Sequence, residues 1–162
     1  VLGTRADLVR LREDGIEYAI PALGDNALRL SSIQILENAG MIPAVIVHPS
    51  AVVASSVQLK RGTFVAAGVV INPACVIGRA CIVNTGATVD HDCRIANGVH
   101  IAPGVHLCGE VHVGERSLIG VGASVLPGVQ IGNDCRIGGG AAVTENVAHS
   151  LTVVGVPARP AV

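Results

Sequence analysis

The chain has 162 residues, a formal net charge of −1 at pH 7, no Trp, one Tyr and one Phe. This composition provides no basic surface interleaved with aromatic side chains, and no apolar run approaches the roughly 20 residues that a membrane span needs. Neither nucleic acid nor a membrane is therefore expected as a partner. A small-molecule partner and a cytoplasmic location are predicted.

Residues 1–46 show a mixed pattern of helical and extended stretches. Asp25 or Asn26 can cap the second helix. Such alternation is typical of an α/β (Rossmann-like) nucleotide-binding unit, and no glycine-rich phosphate loop precedes it in the printed sequence, so a partial unit is expected. The predicted elements are a helix near Arg5–Asp14, a strand near Glu17–Leu23, a helix near Ala27–Ala39 and a strand entering at Ala44–Val47.

From residue 47 to residue 162 the chain follows a repeat of six residues. An α-helix needs apolar residues about 3.6 positions apart and an exposed strand needs them two apart, so a period of six predicts short strands separated by turns. Three such hexads form one triangular coil, and stacked coils pair in parallel at about 4.8 Å. The aliphatic residues occupy every sixth position: Val47, Val53, Leu59, Val65, Ile71, Ile77, Val83, Val89, Ile95, Ile101, Leu107, Val113, Ile119, Val125, Ile131, Ile137 and Val143.

Two further positions of the hexad have a restricted composition. The residue four places after the aliphatic one is small or β-branched and is expected to point inward. The residue three places after it is glycine in eight hexads, and Asp92, Glu110 or Asp134 in three others. A turn with positive φ suits glycine, and Asp tolerates it better than most residues. Four of the five cysteines, Cys75, Cys81, Cys93 and Cys135, occupy the inward small position and are interpreted as core residues.

The six histidines differ in their place within the hexad. His100, His106 and His112 face outward on three successive sides of the coil, so a three-histidine metal site within one chain is not expected. His91 lies near a coil corner between Asp90 and Asp92. A carboxylate beside a histidine orients the ring and raises its basicity, which suits proton abstraction.

Gly109 follows His91 by one coil of 18 residues, so it is expected to stack about 4.8 Å from His91. A glycine at this place lets a ligand approach closely. It also leaves a backbone N–H free to face an oxyanion.

Several longer motifs point to one family. They are Gly24-Asp25-Asn26-Ala27-Leu28-Arg29, His48-Pro49-Ser50-Ala51, Asn84-Thr85-Gly86-Ala87, Asp90-His91-Asp92-Cys93, Val99-His100-Ile101-Ala102-Pro103-Gly104 and Val154-Gly155-Val156-Pro157-Ala158. Through them, residues 16–157 resemble the bacterial hexapeptide-repeat sugar acetyltransferases, which include sialic acid O-acetyltransferases and UDP-4-amino-sugar N-acetyltransferases. The resemblance implies a left-handed parallel β-helix and acetyl-CoA as co-substrate.

The resemblance also implies roles for individual residues. His91 is the expected general base, Asp92 the carboxylate that raises its basicity, and Gly109 the residue whose amide holds the oxyanion. His100 is expected to contact acetyl-CoA. The other expected contacts are Asn84 near the acceptor, Val121, Gly139 and Pro157-Ala158-Arg159 in the acetyl-CoA groove, and Gly24 and Asp25 in a nucleotide-sugar pocket.

The expected reaction is direct acetyl transfer, without a covalent intermediate on Cys93 or Cys108, because Cys93 points inward and Cys108 has no adjacent base in the repeat. The acceptor is expected to be the amino group of a nucleotide-linked 4-amino sugar; a hydroxyl of sialic acid or a related sugar is the alternative. Since corner motifs lie on different sides of the coil, a closed pocket requires packed subunits, and a homotrimer is predicted.

Two other classes of protein share such a coil. A γ-type carbonic anhydrase needs three histidines that meet across a subunit boundary to hold zinc. An ice-binding or scaffold protein needs a regular ladder of Thr or similar residues on one face. No Thr-x-Thr ladder occurs in the sequence, and no metal is expected.

Overall fold

The computed structural model describes residues 3–161. The amino-terminal segment contains a short 3-10 turn at Arg5–Asp7 and four further elements. Strands β1 and β2 pair in parallel, and helix α2 connects them. Asp25 caps α2, because its Oδ1 accepts the N–H of Leu28 at 2.8 Å. In chain order the elements are α1 (Leu8–Glu13), β1 (Tyr18–Ala19), α2 (Asn26–Asn38) and β2 (Ile42–Pro43).

The predicted strands of this segment are longer than the observed ones. The predicted strand at Glu17–Leu23 is reduced to two paired residues, and Pro21, which has no N–H to donate, follows them. The predicted strand at Ala44–Val47 is divided: β2 ends before it, and Ile46–Val47 belongs to the repeat region. The boundary predicted between residues 46 and 47 therefore falls inside one strand.

The hexad region forms a parallel β-helix, as the repeat predicts. Strands β3 to β19 contain two residues each and pair with strands 18 residues away, for example Thr88 with His106. In chain order they are Ile46–Val47, Val52–Val53, Gln58–Leu59, Phe64–Val65, Val70–Ile71, Val76–Ile77, Ile82–Val83, Thr88–Val89, Arg94–Ile95, His100–Ile101, His106–Leu107, His112–Val113, Leu118–Ile119, Ser124–Val125, Gln130–Ile131, Arg136–Ile137 and Ala142–Val143. β20 (Thr152–Val154) and β21 (Arg159–Pro160) close the last coil.

The strands form three sheets, which we name by one outward residue each. The Thr88 face contains β4, β7, β10, β13, β16 and β19. The Arg94 face contains β5, β8, β11, β14 and β17, and the His100 face contains the remaining strands from β3 to β21. The turns between the faces form three corners, and we name each corner by one of its residues. The chain turns at the His91 corner after the Thr88 face, at the Arg79 corner after the Arg94 face, and at the Asn84 corner after the His100 face. Each corner contains the equivalent turn of every coil.

The interior of the β-helix is a narrow aliphatic column. Every aliphatic hexad position from Val65 to Val143 is buried, and so are Cys75, Cys81, Cys93 and Cys135, as predicted. Val47 is 41% exposed because no earlier coil among the described residues covers it. Burial of aliphatic side chains, stabilising by roughly 25 cal/mol per Å² of apolar area, is therefore concentrated in the later coils.

The turns have the backbone conformation that their residues predict. The glycines three places after an aliphatic residue all have positive φ, and so do Asp92 (60°), Glu110 (61°) and Asp134 (56°). Ala74, Ala80 and Arg116 adopt the same conformation without such a preference (62°, 54° and 57°). The geometry of the coil therefore overrides the residue preference at those three turns.

Helix α2 contacts the Arg79 corner through Asn26, Glu37 and the buried Arg29, which is 1% exposed. Arg29 makes the largest number of these hydrogen bonds. Its guanidinium donates to backbone carbonyls of the β-helix, at 2.7 Å to Ala80 and 2.9 Å to Gly98. It also donates to carbonyls at the start of α2, at 3.0 Å to Leu23 and 3.2 Å to Gly24. Burial lowers the pKa of Arg29. Among the described residues, no carboxylate forms an ion pair with it.

We expect the substitution Arg29→Met to destabilise the attachment of α2 by about 2 kcal/mol, because it leaves buried carbonyls without a donor. Hydrogen exchange of the α2 amides should rise, whereas exchange in the later coils should not. Arg61→Met changes an exposed arginine of the same corner and is the control. Equal protection of α2 in both variants would contradict this role of Arg29.

No helix within residues 3–161 is long and apolar enough to cross a membrane.

Candidate functional site

His91 is an exposed residue of the turn that follows strand Thr88–Val89. It lies between the carboxylates of Asp90 and Asp92. Its Nδ1 is 3.0 Å from Asp92 Oδ2, and its backbone N–H donates to Asp90 Oδ1 at 2.8 Å. Asn72, one coil earlier, donates to the same Asp90 oxygen at 2.9 Å. Asp92 therefore orients the ring, while Asp90 and Asn72 hold the backbone beneath it.

The electrostatic surroundings make His91 more basic. The hydrogen bond with Asp92 raises the pKa of His91, and the negative charge of Asp90 adds to this effect. The pKa of Asp90 is itself lowered by the hydrogen bonds from the His91 backbone and from Asn72. Since Asp92 accepts the proton of Nδ1, Nε2 of the neutral ring is left as the proton acceptor.

Gly109 stacks directly against the His91 ring, as the spacing predicts. A methyl group built on Gly109 would lie 2.6 Å from His91 Cε1 and 2.7 Å from Nε2, so only glycine leaves this space to the ring. The backbone confirms the stacking, because Glu110 N–H donates to His91 O at 2.9 Å. His91 and Gly109 line a cleft of about 380 Å³ together with Asp90, Cys108, Glu110, Pro127 and Gly128.

The N–H of Gly109 has no acceptor among the described residues. At the equivalent turn position of other coils the N–H is often satisfied by a nearby side chain: Asp90 for His91, Asn84 for Thr85 and Asn133 for Glu115. The two equivalent neighbours of Gly109 are Cys108, which precedes it, and Pro127, which lies one coil later. Neither side chain has an oxygen that could accept the Gly109 N–H. The free N–H at the His91 corner can therefore donate to an oxyanion.

Asn84 and His100 form a second cluster, at the edge where the His100 face meets the Asn84 corner. Asn84 Nδ2 is 3.2 Å from His100 Nε2, and Asn84 Oδ1 accepts the N–H of Thr85 at 2.8 Å. Burial lowers the pKa of His100, and the charge of Arg29 lowers it further. The pKa values of the two histidines are therefore shifted in opposite directions, upward for His91 and downward for His100.

Val121 and Gly139 lie two and three coils above Thr85 at the Asn84 corner. Val121 is 60% exposed, and a methyl group on Gly139 would lie 3.2 Å from its Cγ1. Val121 therefore presents an exposed apolar side chain at this edge of the prism.

Gly24 and Asp25 contribute to a second cleft, of about 250 Å³, between the beginning of α2 and the His100 face. His100 lines the same cleft, so the structure brings three of the predicted contact residues together there. The cleft also contains charged residues that the sequence pattern did not indicate, because they come from later coils: Arg116, Asp134 and Arg136. Arg116 and Asp134 form an ion pair of 2.6 Å.

Apart from Gly24 and Asp25, one chain therefore divides the predicted site residues between two edges of the prism. His91, Asp92 and Gly109 lie at the His91 corner. Asn84, Val121 and Gly139 lie at the Asn84 corner, with His100 beside Asn84. The Thr88 face separates these two edges.

His100, His106 and His112 belong to three different sheets, as predicted. Among the residues that the structure describes, no group of three His, Cys, Asp or Glu side chains could hold a metal ion.

Two family models match the β-helix. The model described as bacterial transferase hexapeptide (six repeats) matches residues 110–145, and the model described as hexapeptide repeat of succinyl-transferase matches residues 74–103. Among curated proteins, a serine acetyltransferase of Mycobacterium tuberculosis is 51% identical over 47 residues, which is 29% of this chain and 20% of that protein. The chain thus matches only a small part of this curated relative's length.

Solved structures match over the whole chain. A histidine-to-alanine mutant of GDP-perosamine N-acetyltransferase from Caulobacter crescentus, in complex with CoA and GDP-perosamine, is 43% identical, with a TM-score of 0.98 over 100% of this chain and 77% of that chain. The acetyltransferase domain of PglB from Neisseria gonorrhoeae, in complex with acetyl coenzyme A, is 34% identical, with a TM-score of 0.95 over 99% of this chain and 78% of that chain. The predicted parallel β-helix of hexapeptide repeats is confirmed, and these matches are consistent with its predicted left-handed winding. With this identity, coverage and fold, the chain belongs to the bacterial hexapeptide-repeat sugar acetyltransferases.

Proposed function

We propose that this chain is an acetyl-CoA-dependent N-acetyltransferase that acts on the amino group of a nucleotide-linked 4-amino sugar. The observation that carries the proposal is the His91–Asp92 pair stacked on Gly109, whose N–H is free in the same cleft. The relatives crystallised with CoA, GDP-perosamine or acetyl coenzyme A support the two substrate classes. A cytoplasmic location is part of the proposal.

In the proposed mechanism His91 and Gly109 act on the two reacting groups. His91 Nε2 accepts a proton from the attacking amine, while Asp92 stabilises the positive charge that the ring gains. The Gly109 N–H donates to the acetyl carbonyl oxygen, which becomes negative as the N–C bond forms. The C–S bond then breaks, and the thiolate of CoA leaves. No residue of the chain is acylated.

The second group of residues is proposed to bind the substrates. Gly24 and Asp25 are proposed to hold the nucleotide, because the cleft at the beginning of α2 also contains arginine side chains suited to phosphate. His100, Val121 and Gly139 are proposed to contact acetyl-CoA, and Asn84 the acceptor. The wider contacts around the acetyl-CoA groove include Pro157-Ala158-Arg159.

The division between two edges supports a homotrimer. Because α2 covers the Arg79 corner, only the His91 and Asn84 corners can meet a neighbouring prism. When the His91 corner of each subunit contacts the Asn84 corner of the next, the contact is heterologous, and it closes into a ring of three when a three-fold axis relates the subunits. Each complete site would then combine His91 of one subunit with His100 of another.

We expect light scattering to give the mass of three 16.4 kDa chains. Mixing His91→Ala chains with His100→Ala chains should restore part of the activity that each variant lacks, because some sites of a mixed trimer combine two unmodified residues. A monomeric mass would contradict the proposed site.

The pH profile of turnover should depend on Asp92. Only the neutral His91 ring accepts a proton, so the rate falls as the pH drops through its pKa, which Asp92 and Asp90 raise. Asp92→Asn removes the main cause of this rise, and we expect the acidic limb of kcat/KM to move to lower pH, with a lower plateau. Asp14→Asn, at the exposed end of α1, is the control and should leave the limb unchanged. An unmoved limb in Asp92→Asn would exclude His91 as the titrating base.

The first test is CoA release from acetyl-CoA with UDP- and GDP-linked 4-amino sugars and with free sialic acid. Turnover with one amino sugar is expected. Turnover with sialic acid alone would favour the O-acetyltransferase alternative, and a zinc-dependent hydration of CO₂ without acetyl transfer would favour the γ-type carbonic anhydrase alternative.

A further inference from the structure

Two buried thiols lie directly beneath the His91 corner and contact the backbone there. Cys93 Sγ donates to Cys108 O at 3.2 Å, and Cys75 Sγ donates to Asp90 O at 2.9 Å. Both cysteines are 0% exposed. The carbonyl of Cys108 belongs to the same planar peptide group as the N–H of Gly109. The thiol of Cys93 therefore contacts the far side of the group whose N–H is free in the cleft.

The Cys108 carbonyl has no other donor among the described residues. At the next turn of the same corner, Val129 N–H donates to Leu126 O at 3.4 Å, so the backbone closes that turn by itself. No such bond closes the turn at Cys108. The orientation of this peptide group consequently depends on a side chain from the preceding coil.

The inward small position carries a hydrogen-bonding side chain at only some coils. At the His91 corner it is Val57, Cys75, Cys93, Val111 and Val129 in chain order, so Cys93 lies in the coil of His91, one coil before Gly109, and Cys75 lies one coil earlier still. At the Arg79 corner Ser117 and Cys81 make the same kind of bond, at 2.7 Å to Gly132 O and 3.1 Å to Ala96 O. The position therefore accepts valine, cysteine and serine without a change of fold.

We propose that Cys93 is a positioning residue for acetyl transfer, because its thiol fixes the Cys108–Gly109 peptide group so that the Gly109 N–H points into the cleft. A hydrogen bond to a carbonyl also polarises the peptide group and makes its N–H a stronger donor. The Cys93 thiol is fully buried, which disfavours its charged form, so it keeps the proton that it donates. This inference rests on the oxyanion role proposed for Gly109.

The test variants use residue types that already occupy the inward position in other coils of this chain. Cys93→Val keeps an inward side chain that this corner already contains at Val111 but removes the donor. Cys93→Ser restores a donor, as at Ser117. Cys81→Val is the matched control, because Cys81 holds a carbonyl at the Arg79 corner and Val99 occupies the same position one coil later.

The peptide group can be observed directly. Cys108–Gly109 is the only Cys–Gly pair in the sequence, so labelling Cys carbonyl carbons with ¹³C and Gly nitrogens with ¹⁵N gives a single carbonyl–amide correlation in the NMR spectrum. We expect this signal to move in Cys93→Val, to move less in Cys93→Ser and to stay in place in Cys81→Val. An unmoved signal in Cys93→Val would overturn the proposal, whether or not the chain transfers acetyl groups.

The kinetic comparison uses the same variants. In Cys93→Val kcat should fall about tenfold, less than for loss of an oxyanion donor itself, with a smaller change in KM for acetyl-CoA. Cys93→Ser should recover most of this loss, and Cys81→Val should match the unmodified chain. Equal kcat in Cys93→Val and Cys81→Val, with turnover that still depends on His91, would overturn the positioning role alone. Turnover that is independent of His91 would overturn the proposed function instead.

Discussion

Replacement of His91 by alanine is expected to lower kcat by about 10³-fold, because general-base catalysis by a positioned side chain contributes about 10² to 10⁴. The substitution removes the imidazole ring that Asp92 orients in the cleft, and with it the proposed proton acceptor Nε2. The ring is 54% exposed, so its loss creates no internal cavity and the thermal midpoint should change little. Steady-state kinetics with the acceptor found above, together with a thermal melt, measure both quantities.

His48→Ala is the control for this prediction. His48 is also an exposed histidine that follows a β-helix strand, and its Nδ1 contacts Ser50 at 2.8 Å, but it lies in the first coil away from the His91 corner. We expect normal turnover in this variant. If His91→Ala retained more than a tenth of the activity, the proton would have another acceptor, and the proposed mechanism would be wrong.

The substitution Gly109→Ala is expected to lower kcat by about 10²-fold or more, a loss similar to that of an oxyanion donor. The new methyl group would lie 2.7 Å from His91 Nε2, so the ring must rotate away from its place over the Gly109 amide. No positive φ is required at Gly109, so the backbone itself tolerates alanine. The variant should therefore lose turnover while its thermal midpoint stays close to that of the unmodified chain.

Gly120→Ala is the comparison variant, because it is expected to change stability, which Gly109→Ala should leave nearly unchanged. A methyl group on Gly120 would lie 2.5 Å from Ile137 O and 2.7 Å from Gly139 N, which are backbone atoms of the next coil and cannot rotate away. We expect this variant to lose stability. A loss of stability in Gly109→Ala equal to that of Gly120→Ala would mean that Gly109 has a packing role rather than a catalytic one.

The predictions about the repeat region depended on local spacing and were confirmed. A period of six identified the buried aliphatic column, the parallel register of 18 residues and the inward cysteines, because each hexad has the same environment as its neighbours. The stacking of Gly109 on His91 followed from the same register. The positive φ at Asp92 followed from the turn position that it occupies.

The amino-terminal segment was predicted less well. Its helices were placed to within a few residues, and Asp25 caps α2, but its strands are only two residues long. The predicted identity as a partial Rossmann-like unit stays a prediction. Strands of two residues that pair with a single partner are too short to show a periodicity, so no sequence pattern marks their ends.

The sequence by itself determined the β-helix, the corner that carries His91 and Asp92, and the coil that carries Gly109, because these relations follow from the constant register of a repeat. Only the tertiary structure decided three others: that Arg29 is buried against the Arg79 corner, that Arg116, Asp134 and Arg136 share a cleft with Gly24, and that Cys93 holds the carbonyl next to Gly109. These contacts join a helix to the coils, or one coil to the next through side chains. A periodic pattern gives the position of a residue in its own coil, whereas its side-chain partners depend on how neighbouring elements pack.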